Sequence, residues 1–125
     1  MTSKADFSIN QGSDFVIFFV ISDSTGKTVD LEGYDAAMQL RKSTFSSTAD
    51  DTLTVENGRL EMYPSEGKIK VKFTNSATAG YKASSYKYDL EIVSSDGYVT
   101  RVVEGTIKVS PEVTRVDFAS GGVAA

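Results

Sequence analysis

The sequence contains no histidine, no cysteine and no tryptophan among its 125 residues. Without histidine the chain cannot use an imidazole as a general acid or base, which excludes Ser-His-Asp and Cys-His nucleophiles. Without cysteine it has no disulfide, no thiolate ligand for zinc and no haem attachment site. These absences remove the commonest catalytic and metal-binding chemistries.

The chain also has little positive charge and no long apolar run. Thirteen Lys and Arg against 17 Asp and Glu give a net charge of −4, so we expect no nucleic-acid partner, because phosphate binding needs a basic surface. The longest apolar run, residues 15–21, is far shorter than the roughly 20 residues of a transmembrane helix. The first residues show no leader pattern. We therefore expect no secretion leader and no membrane partner.

What the sequence does contain is an alternation of apolar and polar residues with period two along almost its whole length. With 40% hydrophobic and 24% charged residues, the chain can bury one modest core. About seven short strands with tight turns predict an all-β fold, either a β-sandwich or a small barrel, and we favour the sandwich. We place the domain at residues 6–116, between a flexible N-terminus, residues 1–5, and a flexible tail, residues 117–125.

Four local features complete the predicted strand pattern. Asn57-Gly58 predicts a hairpin turn between strands at residues 53–55 and 60–62, because both residue types tolerate a positive φ. Gly105 predicts a β-bulge in the last long strand. A short helical turn is expected only within residues 75–85. The Ser/Thr-rich residues 43–51 are expected to form a mobile loop.

The strand at residues 14–22 is apolar on both faces. One face contributes to the predicted core: Phe15, Ile17, Phe19, Leu40, Ile69, Val71, Phe73, Tyr88 and Leu90. The other face presents Val16, Phe18 and Val20, which need cover from elsewhere. Exposed apolar patches usually mark interfaces. We therefore predict an interaction surface at Val16, Phe18 and Val20, extended by Val116 and Phe118 of the tail.

Several patterns resemble catalytic or metal-binding motifs, and each lacks an essential part. Gly26-Lys27-Thr28 ends like a phosphate-binding loop, but Ile21 stands where that motif needs its first Gly. Asp50-Asp51 begins no helix–loop–helix calcium loop, because Val55 falls at the position of the turn Gly. Asp89, Glu91 and Glu104 have the spacing of a solvated strand face rather than of a glycosidase pair. We expect no enzyme, no metal, no cofactor and no small-molecule ligand.

Two sets of exposed side chains leave other binding functions open. Lys68, Lys70 and Lys72 share one strand face and could bind a polyanion, although such lysines more often protect an exposed strand from pairing with other chains. Tyr63, Tyr81 and Tyr98 could stack on sugar rings, with nearby Asp or Asn side chains binding hydroxyls. A carbohydrate-binding module is thus the alternative to an interaction module.

A series of strings in order resembles small virion proteins of tailed bacteriophages. Gln11-Gly12 precedes a strand that begins at Asp14-Phe15. The other strings are DSTGKTVDLEGY at 23–34, MQLR at 38–41, YKYDLE at 86–91, DGYVTR at 96–101 and GTIKVSPEVTR at 105–115. Together they are similar to the immunoglobulin-like domain at the start of phage baseplate upper proteins.

The resemblance implies a fold and a function. The fold would be a single immunoglobulin-like antiparallel β-sandwich. The function would be that of a non-enzymatic structural component of a tailed phage virion, in the tail, baseplate or neck, with capsid decoration as the alternative position. Its partners would be other virion proteins or further copies of itself, and it would assemble in the host bacterial cytoplasm and be localised in the virion.

Overall fold

The structure, a computed structural model, describes residues 2–114, 116–117 and 122–123. Its elements are β1 (Ser3–Lys4), β2 (Phe7–Asn10), β3 (Phe15–Val20), β4 (Asp35–Arg41), β5 (Asp51–Thr54), β6 (Leu60–Tyr63), a 3-10 turn (Pro64–Glu66), β7 (Lys68–Phe73), α1 (Asn75–Ala79), β8 (Ser85–Val93), β9 (Val99–Ser110), β10 (Val116–Asp117) and β11 (Gly122–Val123). The expected short helix is confirmed as α1. Thr74 caps its N-terminus: the Thr74 hydroxyl accepts from the Ala77 amide and so satisfies one of the free N–H groups of the first turn.

Strands β1 to β9 form two sheets, which confirms the predicted all-β sandwich. One sheet has six strands in the order β1-β9-β8-β4-β5, with β2 also paired to β9, and the other has three in the order β3-β7-β6. All pairs in the three-stranded sheet are antiparallel. In the larger sheet β1 and β2 run parallel to β9, so that sheet is mixed. β10 and β11 pair only with each other.

The core lies between the two sheets and is aliphatic and aromatic. Seven of the nine predicted core residues are buried: Phe19, Leu40, Ile69, Val71, Phe73, Tyr88 and Leu90. Phe15 and Ile17 are only half-buried against that core. Their strand, β3, lies at the edge of its sheet among the described residues. These two side chains are therefore flanked by a neighbouring strand on one side only.

The predicted Asn57-Gly58 hairpin is wrong. β5 belongs to the six-stranded sheet and β6 to the three-stranded one, so this turn crosses from one sheet to the other instead of joining paired strands. Gly58 has φ of 79°, whereas no residue other than glycine has a positive φ in the described part of the chain. The Asn57 side chain fixes the crossing, since its Oδ1 accepts from the amides of Thr54 at 3.0 Å and Arg59 at 3.1 Å.

The bulge predicted at Gly105 lies elsewhere, and Gly105 has a different role. The register of β8 with β9 shifts between Leu90 and Glu91, which leaves Val102 as the extra residue and buries Val102 and Val103 in succession. A Cβ on Gly105 would stand 2.0 Å from the Ala5 carbonyl oxygen. Gly105 therefore allows the backbone at Ala5 to approach β9 closely, between the pairings of β1 and β2 with that strand.

The segment predicted to be a flexible N-terminus, residues 1–5, contains paired backbone. Ser3 and Lys4 lie beside Val103 and Glu104 of β9. The Ala5 amide donates to the Glu104 carbonyl at 3.0 Å, and the Tyr88 hydroxyl donates to the Ala5 carbonyl at 2.5 Å. These bonds continue the parallel pairing of β2 toward the N-terminus.

Candidate functional site

The outer face of the three-stranded sheet presents a row of apolar side chains on its edge strand. Val16, Phe18 and Val20 are 47%, 50% and 56% exposed. They alternate along β3 with the inward side chains of Phe15, Ile17 and Phe19, because successive residues of a strand point to opposite faces. We call Val16, Phe18 and Val20 the outer row. The structure brings these three predicted interface residues together on one surface.

A row of lysines on the middle strand lies beside the outer row. Val16, Phe18 and Val20 are paired in register with Lys72, Lys70 and Lys68 of β7, respectively. The Nζ atoms of Lys68 and Lys70 stand 5.3 Å and 6.0 Å from the centre of the Phe18 ring, within cation–π range. The lysines thus cover the side of the Phe18 ring that faces β7.

Acidic side chains neutralise part of this lysine row. Lys72 pairs with Glu61 and Lys68 with Glu66, each at 3.5 Å. Glu61 also accepts from the Tyr63 hydroxyl at 2.9 Å, which lowers the pKa of the Glu61 carboxyl and keeps it charged. The idea that the lysines protect a strand edge is wrong, because β7 is the middle strand.

The far edge of β3 is open. In the part of the chain that the structure describes, β3 pairs with β7 on one side and with no strand on the other. All six residues of β3 are apolar, whereas exposed edge strands usually carry charges, proline or a bulge that prevent pairing with other chains. An open edge and the outer row therefore occur on the same strand.

The two remaining predicted interface residues belong to the tail. Val116 lies in β10, paired with Val123 of β11. Phe118 lies outside the described residues. The described part of the predicted interaction surface is therefore the outer row on β3.

The three tyrosines predicted to stack on sugar occupy different environments. The assignment of Tyr81 is wrong, because its side chain is only 6% exposed. Its hydroxyl bonds to the Asp51 carboxylate, which Arg59 also binds at 2.9 Å. Tyr63 is half-buried on the outer face of β6, with its ring centre 6.4 Å from that of Phe18. Tyr98 is 73% exposed in the turn between β8 and β9.

Tyr98 lines a cleft of about 420 Å³ at one end of the sandwich. The cleft lies between the β3–β4 connection and the β8–β9 turn, and its lining residues are Ile21, Ser22, Asp23, Val29, Tyr34, Ile92, Ser94, Asp96, Tyr98, Thr100 and Val102. It combines an apolar floor with two tyrosines, two carboxylates and three hydroxyls. Sequence reasoning missed this cleft, since Asp23 and Tyr34 lie more than 60 residues before Asp96 and only the fold joins them.

Hydrogen bonds hold both carboxylates of the cleft in place. The Asp23 Oδ1 atom accepts from the Thr25 hydroxyl at 2.5 Å and the Thr25 amide at 2.9 Å, which lowers the pKa of Asp23. The Ser94 hydroxyl bonds to Asp96 and lowers the pKa of that carboxyl as well. Both carboxylates of the cleft are therefore charged at neutral pH.

The outer face of the six-stranded sheet is polar, and its charges bond to one another. Arg101 pairs with Asp89 and with Glu104, each at 3.2 Å. Lys87 donates to the Thr106 hydroxyl at 3.1 Å, and Arg41 donates to the Ser46 carbonyl at 2.9 Å. The structure thus brings Asp89, Glu91 and Glu104 together on this face, beside the basic side chains of Arg41, Lys87 and Arg101.

Among the described residues, no group of three acidic side chains is placed to hold a metal ion. None of the described helices has the length and apolar character needed to cross a membrane. The chain matches no family model and no curated protein.

Proposed function

We propose that the protein is a non-enzymatic structural module that works through protein–protein contacts, as a component of a tailed phage virion. The observation that carries the proposal is the outer row on an open, uncharged edge strand. Apolar side chains that remain half-exposed on an ordered strand usually mark an interface. The resemblance of the sequence to phage virion proteins supports a tailed phage particle as the assembly. The proposed position is the tail, baseplate or neck, and the alternative is capsid decoration.

The proposal includes an immunoglobulin-like form of the sandwich, and two features support it. The strand order β2-β9-β8-β4-β5 against β3-β7-β6 parallels the two sheets of variable-type immunoglobulin domains. Near the start of β8 the buried Tyr86 donates its hydroxyl to the Lys82 carbonyl at 2.8 Å. This is the bond of a tyrosine corner, in which the hydroxyl reaches the backbone a few residues upstream.

Mass spectrometry of gradient-purified phage particles tests the virion role. Particles produced from the genome that encodes this chain should contain it at a fixed stoichiometry. Phe18→Lys should fold but be depleted from particles, because it places a charge in the centre of the outer row. Phe45→Lys makes the same change at a side chain that is 95% exposed in the β4–β5 loop and should be incorporated normally. Particles that lack the chain would contradict the proposal.

The cleft beside Tyr98 favours carbohydrate binding as the second candidate function. An exposed aromatic ring can stack on a sugar, and the Asp23 and Asp96 carboxylates can accept bonds from hydroxyls. On a glycan array this function predicts binding that Tyr98→Ala abolishes. Tyr63→Ala should leave it unchanged, because Tyr63 lies on the outer face of the other sheet. An array on which no glycan binds would eliminate this candidate.

A further inference from the structure

The free edge of β3 has the properties of a strand that pairs with its own copy. We propose that two copies of the chain join edge to edge through β3, antiparallel about a two-fold axis at Phe18. This inference rests on the proposed function, since it names the partner of the outer row. The two three-stranded sheets would become one continuous sheet.

The outer row is palindromic, which favours a second copy of the chain as the partner. Val16, Phe18 and Val20 read Val, aromatic, Val in either direction along the strand. Antiparallel pairing about Phe18 places Phe18 opposite Phe18, and Val16 opposite Val20 of the second copy. Aromatic and β-branched cross-strand pairs stabilise a sheet, and this register alone pairs all three residues of the row. A two-fold interface requires this self-complementarity.

The same register completes the inner face of the strand. It sets Ile17 of each copy opposite Phe19 of the other, toward the cores of the two sandwiches. Phe15 and Ile17 are half-buried because, among the described residues, no strand pairs with β3 on that side. The β3 strand of the second copy would lie on that side and cover both side chains.

The charges of the surface are compatible with this partner. β3 carries no charge, so the pairing brings no like charges directly together. The lysines of β7 would stand three interstrand spacings from those of the second copy, about 14 Å. This exceeds the Debye length of about 8 Å at physiological ionic strength, so their repulsion is screened. Lys68 and Lys72 are also paired within each copy.

Cysteine cross-linking tests the register, because the natural chain contains no cysteine. Phe18→Cys should form a covalent dimer on mild oxidation, since directly opposite residues are about 4.5–5.5 Å apart at Cα, within disulfide range. Val16→Cys alone should not, because its two copies would be about 14 Å apart along the paired strands. A mixture of Val16→Cys and Val20→Cys should cross-link as a heterodimer. Equal cross-linking of every variant would indicate unspecific aggregation and overturn the proposal.

Sedimentation velocity across a concentration series tests the non-covalent dimer. The natural chain should pass from monomer to dimer as concentration rises. Phe18→Lys should raise the dissociation constant at least about tenfold, because it puts like charges opposite each other. Phe45→Lys should dimerise like the natural chain, and circular dichroism should show that both variants are folded. A natural chain that stays monomeric throughout, or a Phe18→Lys variant that dimerises equally well, would overturn the proposal.

The two proposals can fail separately. If purified particles contain the chain but it never dimerises or cross-links at Phe18, self-pairing is wrong and the virion role stands. If the chain dimerises in the expected register but particles lack it, pairing through β3 stands and the virion role is wrong.

Discussion

Tyr86 shows how one side chain secures the link between the two sheets. It is 2% exposed, and its hydroxyl bonds to a carbonyl four residues earlier, in the connection that follows α1. We predict that Tyr86→Phe lowers the free energy of unfolding by about 1–3 kcal/mol, because the Lys82 carbonyl loses its buried partner. Urea unfolding measures this. Tyr98→Phe removes the same atom from an exposed ring and should change stability by less than about 0.5 kcal/mol. Equal effects would contradict the argument.

Gly105 is required by the close approach of Ala5. Gly105→Ala should therefore destabilise the protein by about 1–3 kcal/mol, and hydrogen exchange at the Ala5 amide should accelerate as its bond to Glu104 is lost. Gly80→Ala is the control. Its φ is −83° and an added Cβ would meet nothing nearer than 3.4 Å, so its stability should stay within about 1 kcal/mol of the natural chain. An unchanged Ala5 exchange rate in Gly105→Ala would refute this role.

At the scale of elements, the turn between β5 and β6 depends on a side chain rather than on backbone pairing. Asn57→Ala removes the acceptor for two amides and also the donor to the Thr52 carbonyl at 3.0 Å. We expect a loss of about 1–2 kcal/mol in a urea titration, since these bonds are partly replaced by water. Glu56→Ala, at the neighbouring exposed position, should be close to neutral. A neutral Asn57→Ala would show that the strands alone fix the crossing.

The strands could be predicted from the sequence, but their partners could not. Alternation located β7 at residues 68–73 and the outer row on β3, since side-chain direction is a local property with period two. The Asn57-Gly58 turn has the local signature of a hairpin, yet its flanking strands join different sheets. Sheet membership depends on pairing with residues far along the chain, such as Leu60 with Val71 and Met38 with Leu53. A window around the turn contains Leu53 and Leu60 but not their partners Met38 and Val71.

The same limit applies to the candidate sites: features of a single strand could be predicted, and contacts between distant residues could not. Exposure of Val16, Phe18 and Val20 could be predicted because the opposite face of the same strand is apolar too. Burial of Tyr81 could not, since its hydroxyl partner Asp51 lies 30 residues away. The cleft beside Tyr98 escaped prediction for the same reason: one wall comes from the β3–β4 connection and the other from β8, β9 and the turn between them, far along the chain.

At the scale of the whole molecule, buried tyrosines set the alkaline limit of stability. Burial raises the pKa of Tyr81 and of Tyr88, and the nearby carboxylates of Asp51 and Asp6, respectively, raise it further. In the unfolded chain each hydroxyl loses its proton near pH 10. Stability should thus be insensitive to these groups below about pH 10 and fall above it, because the unfolded state then binds fewer protons than the folded state.

Urea unfolding between about pH 9 and 11 measures this effect. Each of the two tyrosines should contribute a decrease of about 1.4 kcal/mol per pH unit above about pH 10. Tyr81→Phe should remove one such contribution and make the decline shallower. A free energy of unfolding that stays constant to pH 11 would show that both hydroxyls ionise within the folded protein.

The parallel pairing of β2 with β9 has a mechanical consequence. The first long strand and the last one lie side by side, Phe7–Asn10 against Ile107–Ser110, and run in the same direction. Force applied to the chain at points before β2 and after β9 therefore acts along the strands. It loads the backbone hydrogen bonds between β2 and β9 together, in shear. In an antiparallel pair whose two pulled ends lie at the same side, the hydrogen bonds between the strands would break one at a time. We therefore expect the β2–β9 pairing to resist force along the strands better than force across them.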